Sequence, residues 1–244
     1  MTIPDLAWWQ WLLGITTAFS VGIAKTGVPG LGVLVVPMMV LAVGDVRQSA
    51  GWLLPVLCTA DVFAVFYWRR HAAAGQLFSL APWVLVGIAG GAIALTWSER
   101  VLRPLVGSII LVMLILFLWR RWRPGIKQAP AHSAPYGIAA GFATTVANAA
   151  GPVMNLYLLS KRLPKEEFIA TGAWFFFLVN LSKVPIYVYH GLFTTASLTF
   201  NVLVAPAVFI GALAGRRLVD HIPGPVFEGL VLVLTALSTL LLFR

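Results

Sequence analysis

Charge is scarce in this chain. Asp, Glu, Lys and Arg make up 10% of its 244 residues against 60% apolar, a balance that ordinary soluble domains do not reach. Apolar runs occupy most of the length, so no sizeable extramembrane domain fits and function must lie inside a bilayer. Cysteine is nearly absent. Cys58 stands alone within an apolar run, which excludes an intrachain disulfide and a cysteine-built metal centre. His71, His132, His190 and His221 fall in or near loops without metal-ligand spacing. There is no Ser/His/Asp set, Walker loop or dinucleotide fingerprint, so neither an enzyme nor a bound metal or cofactor is expected. Acidic residues number 8 against 17 basic ones, for a net charge of +9. The basic residues sit in short loops between apolar runs, where they set membrane orientation rather than bind nucleic acid. The N-terminus lacks a basic n-region, so a cleaved signal peptide is not expected and the run from Trp8 stays in the protein.

What is present is a series of spans. Trp52–Trp68, Leu77–Trp97, Val101–Trp119, Phe168–Tyr189, Leu198–Gly215 and Val226–Phe243 are each about long enough to cross. Two further stretches are interrupted. Trp8–Val43 breaks at Lys25-Thr26-Gly27-Val28-Pro29-Gly30-Leu31-Gly32, and Tyr136–Leu159 breaks at Asn148-Ala149-Ala150-Gly151-Pro152. Each interrupted stretch precedes three plain spans. An offset of 121 residues pairs Ala18 with Ala139, Gly30 with Gly151, Gly51 with Gly172, Gly90 with Gly211 and Pro104 with Pro225. Leucine and valine matches are cheap here, whereas matched glycines and prolines put backbone breaks at corresponding points. The expected fold is therefore an all-α integral membrane protein of two repeats. Residues 1–122 hold hairpin 8–43 and spans 52–68, 77–97 and 101–119. Residues 123–134 form a cytoplasmic linker. Residues 135–244 hold hairpin 136–159 and spans 168–189, 198–215 and 226–243.

Loop charge makes the repeats inverted. Arg120, Arg121, Arg123 and Lys127 precede the second interrupted stretch and Lys161, Arg162 and Lys165 follow it, and both clusters belong on the cytoplasmic face. The stretch between them must then enter and leave on one side, as a re-entrant hairpin. Its first limb, Tyr136–Val146, rises about 16 Å as helix, roughly half the hydrocarbon core. The same treatment of Trp8–Val43, as a hairpin or a pair of short helices, puts Arg69, Arg70, Arg216 and Arg217 inside as well, leaving Arg47, Arg100, Arg103 and Arg244 outside. Three crossings per half invert the second copy, so the two tips approach the midplane from opposite faces.

Broken helices expose backbone N–H groups that carry partial positive charge and favour an anion. Gly27, Gly30, Gly32 and Gly151 let a ligand approach the backbone; the plainer role for the same residues is close helix packing. Lys25 borders the first tip and Lys183 lies inside a span, where a lysine costs about 2.5 to 3.5 kcal/mol and should have a partner or a task. Two cations at a midplane cavity select an anion. Asp61, the acidic residue deepest in a plain span, falls opposite Ser182 in the repeat register, beside Lys183. It either pairs with a lysine or titrates and couples transport to protons. Thr26, Asn148, Asn155, Asn180 and Ser182 are neutral candidates for oxyanion hydrogen bonds, or glue between helices. Trp8, Trp9, Trp11, Trp119 and Trp122 suit interfacial belts, and Trp174-Phe175-Phe176-Phe177 reads as lipid-facing or packing surface. Glu166 and Glu167 read as a solvated loop.

The segment KTGVPGLGVLVVP at Lys25–Pro37, Asn148-Ala149-Ala150-Gly151-Pro152, and the stretch Gly172–Pro185 together resemble the TauE/SafE family of sulfite and organosulfonate exporters over nearly the whole chain. The resemblance implies an inverted-repeat permease of the bacterial cytoplasmic (inner) membrane that moves sulfite, sulfoacetate or a similar anion outward, using the proton gradient. The usual family tip is a denser glycine cluster followed by proline; here Val28-Pro29 replaces part of it, and the second half keeps one glycine. A non-transporting membrane accessory protein that binds a lipid or protein partner is the alternative; it explains the hydrophobicity and the repeats but not two lysines beside broken helices. The sequence gives no oligomeric state, although small permeases often pair as homodimers. Cysteines introduced near Lys161 and Arg123 are expected to label from the same face of the membrane; accessibility from opposite faces rules out the re-entrant hairpin.

Overall fold

A computed structural model describes residues 4–94, 97–122, 132–147, 149–189, 191–241 and 243. These residues are all-helical. The helices are α1 (Trp8–Thr26), α2 (Val35–Val43), α3 (Val46–Trp68), α4 (Ala74–Ala94), α5 (Glu99–Arg121), α6 (Ser133–Ala147), α7 (Ala150–Ser160), α8 (Lys165–Tyr189), α9 (Thr195–His221) and α10 (Gly224–Leu241), with a 3-10 turn at Leu31–Val33. Helices α3, α4, α5, α8, α9 and α10 are each long and apolar enough to cross a membrane, as expected of the six plain spans. Twice along the chain, a helix, a shorter helix and three long helices follow one another.

The interrupted stretches break where expected, with different lengths on either side. Helix α1 runs through Lys25 and Thr26, and its 19 residues rise about 28 Å, close to the full core rather than half of it. Its partner α2 has 9 residues. Gly30, at φ 109°, turns the chain between them in a conformation that favours glycine. In the second stretch α6 begins at Ser133 and its 15 residues rise about 22 Å, more than the limb expected from Tyr136–Val146. Gly151 and Pro152 lie in the first turn of α7 rather than in the tip. Proline fits there because first-turn N–H groups have no helical acceptor to lose. Asn148 lies outside the described residues, as do Arg123, Lys127 and most of the linker expected at 123–134.

The described chain forms two compact units that cut across the sequence halves: Met1–Ala72 with Ala173–Pro223, and Ala73–Gly172 with Gly224–Arg244. Helix α8 passes from the second unit into the first between Gly172 and Ala173. In the first unit α1 packs along α9, and in the second α6 packs along α4. Both contacts are made through glycines. A Cβ at Gly22 would meet the backbone of Val208 and Ala212, one at Gly27 the carbonyl of Gly215, and one at Gly211 the carbonyl of Phe19. In the second unit, a Cβ at Gly87 would meet the Ile138 carbonyl and one at Gly141 the Val84 carbonyl. Lipid is as apolar as leucine, so helices gain little from apolar burial against each other, and close backbone approach supplies dispersion contact instead. The core of the first unit is built on Ala18, Val21, Met39, Trp52, Val56 and Phe200. Gly22→Ala or Gly141→Ala is expected to destabilise by about 1–3 kcal/mol through forced backbone movement. Gly90→Ala, where a Cβ meets nothing within 4 Å, is expected to be neutral or stabilising by up to about 1 kcal/mol; apparent melting temperatures in detergent distinguish the two outcomes.

Candidate functional site

Three helices of the first unit bring their ionisable side chains together. Helix α1 ends at Thr26, whose hydroxyl donates to the Gly22 carbonyl at 3.0 Å and to the Ala212 carbonyl of α9 at 2.7 Å. The Thr26 carbonyl, left without a helical donor at the end of α1, accepts from Trp68 Nε1 at 3.1 Å. The helix end is thereby tied to α9 and α3, and the preceding residue, Lys25, is held in register with α3. Thr26 is fully buried with its hydroxyl proton committed to backbone.

Lys25 Nζ lies 2.7 Å from Asp61 Oδ1; the lysine side chain is 13% exposed and the aspartate side chain 0%. Asn180 Nδ2 donates to the other oxygen of Asp61 at 2.7 Å. Of the two roles considered for Asp61, the lysine pair is the one observed, and the lysine is Lys25. Its amide partner is Asn180. Ser182 turns its hydroxyl back to the Val179 carbonyl at 2.8 Å. Lys183 is within electrostatic reach of Lys25, Asp61 and Cys58, and Cys58 lies one turn before Asp61 on α3. The three formal charges, two lysines and one aspartate, sum to +1. A buried carboxylate is tolerated only when paired and hydrogen-bonded, and Asp61 has both kinds of partner.

Sequence reasoning missed Phe176. Lys25 Nζ sits 4.3 Å from the centroid of its ring, within the roughly 6 Å range of a cation–π contact worth about 0.5–2 kcal/mol. Phe176 is half-buried, and the aromatic run around it had concealed it as packing surface. The signal was the spacing: Phe176, Asn180 and Lys183 stand at i, i+4 and i+7 on α8, one face of a helix.

The remaining candidates are dispersed. Gly27 faces the Gly215 backbone, while a Cβ at Gly32 or Gly151 would meet nothing within 4 Å. Asn155 belongs to the second unit, where its Nδ2 donates to Thr235 Oγ1 at 3.2 Å; Gly151 is in that unit also.

Removing Lys25 alone strands the Asp61 charge. Lys25→Met is expected to cost about 3–5 kcal/mol of stability, and the double variant Lys25→Met/Asp61→Asn to recover most of it; equal melting temperatures for the single and double variants would show that the pair is not carrying that cost.

Comparison with curated proteins and with solved structures finds no match. The family model described as Sulfite exporter TauE/SafE matches residues 13–242, a stretch that contains all ten helices except the first few residues of α1 and holds Lys25, Asp61, Phe176, Asn180 and Lys183. With nearly its whole length covered and six helices able to cross a bilayer, the chain belongs to the TauE/SafE sulfite exporter family of membrane permeases.

Proposed function

We propose that this permease exports a small anion across the bacterial cytoplasmic membrane, sulfite or an organosulfonate such as sulfoacetate, and that Lys25 and Lys183 bind it. The observation that carries the reading is the unequal charge in the first unit. Two ammonium groups lie within reach of one buried carboxylate, and the surplus positive charge suits an anionic ligand in a low-dielectric setting. Asn180 supplies an amide beside them. Gly30 and Gly32 lie in the turn after α1 and Gly151 in the first turn of α7, where backbone N–H groups suit an oxyanion; Asn148 stays a candidate from the sequence alone. Thr26 and Gly27 contribute by fixing the end of α1. The repeated succession of helices, and the matching use of α1 on α9 and α6 on α4, support the inverted-repeat reading.

Asp61 and an incoming anion compete for Lys25. Protonation of Asp61 removes the charge that holds the ammonium, so anion loading and proton uptake at Asp61 are linked in this reading. The carboxylate form closes the pair and the acid form releases it. Counterflow of labelled sulfite and sulfoacetate in proteoliposomes tests both parts. Lys25→Ala and Lys183→Ala are each expected to lower sulfite flux at least tenfold, and Asp61→Asn to abolish the dependence of flux on a pH gradient. Absence of flux for any anion in the wild-type protein overturns the transport reading; an unchanged proton dependence in Asp61→Asn removes the coupling role alone.

A further inference from the structure

Lys25 has two neighbours that attract it in different ways. Asp61 lies 2.7 Å from its nitrogen and cancels its charge. The ring of Phe176 lies 4.3 Å from it and cancels nothing, because an aromatic face attracts a cation through its quadrupole. The distinction matters when the ion pair opens. An ammonium that loses its counter-ion in a low-dielectric setting is driven to move or to shed its proton, and in either case it can no longer receive an anion.

We propose that Phe176 is a positioning residue for the transported anion, whose ring keeps the Lys25 ammonium in place and charged when Asp61 lets go. The proposal rests on the anion-export reading above and adds a residue to it. Helix α8 is suited to the task because one face carries Phe176, Asn180 and Lys183. The same helix therefore holds the aspartate through Asn180, holds the lysine through the ring, and brings the second ammonium. The pair is also accessible on one partner only: Lys25 is partly exposed and Asp61 is not. An anion reaching Lys25 displaces the carboxylate contact without having to displace the aromatic one.

Progressive fluorination of Phe176 separates this role from packing, since mono-, di- and trifluorophenylalanine keep the shape of the ring while draining the negative potential of its face. The full-length protein in proteoliposomes is assayed for sulfite flux, and in detergent for stabilisation by sulfite. KM for sulfite is expected to rise stepwise along the series, reaching about tenfold for the trifluoro ring, with a smaller change in maximal flux. Phe176→Trp is expected to retain affinity and Phe176→Leu to lose it. A KM that stays flat along the fluorinated series overturns the proposal while leaving anion export standing. Neither flux nor sulfite stabilisation in the unsubstituted protein overturns the export reading, and this proposal with it.

Discussion

In hydrocarbon, neither the backbone nor a pair of helices receives help from water. Every N–H and C=O must be satisfied within the protein, and apolar side chains gain little by touching each other rather than lipid. The fold answers the first demand with helices and the second with glycine. Gly22 on α1 and Gly27 just past its end meet Val208–Gly215 on α9, and Gly137 and Gly141 on α6 meet Leu80–Ile88 on α4. These contacts bring backbone against backbone, and the rest of each unit is arranged around them. They also fix the end of α1, because Thr26 reaches the Ala212 carbonyl only when the two helices are this close.

The candidate site depends on that fixed end. Lys25 is carried by the last turn of α1, and its partner Asp61 lies in the interior of α3. Two charges inside a membrane protein cost more than they return unless their geometry is held by other bonds. Here the Trp68-to-Thr26 and Thr26-to-Ala212 bonds hold the lysine end, and Asn180 holds the carboxylate. The glycine contacts, the cap and the ion pair form one mechanical series, in which Gly27 packs against the Gly215 backbone.

The sequence was legible where chemistry is local. Apolar runs reveal spans because length alone decides whether a helix can cross, and the breaks after Thr26 and near Asn148 follow from glycine and proline. Lys25, Asp61, Asn180 and Lys183 were legible as candidates because a polar group is conspicuous in an apolar run. Legibility failed for residues whose meaning comes from a partner. Phe176 is one phenylalanine among fifteen, and only the ammonium beside it distinguishes it. Asn180 was legible as a polar candidate but not as a donor to Asp61, because a hydrogen bond depends on which side chains face each other across helices.

What the sequence by itself determined is the number of spans, the position of the breaks, the loop charges and the presence of surplus positive charge inside the membrane. Each of these is a property of a segment read alone. Which helices meet was decided by tertiary structure: α1 with α9 and α6 with α4, so that the compact units cut across the two halves of the chain. So was the convergence of α1, α3 and α8 on one carboxylate. The reason is physical. Between apolar helices in an apolar solvent nearly all pairings are close in energy, and the choice falls to a few small residues and buried polar groups whose complementarity exists only once the helices are side by side.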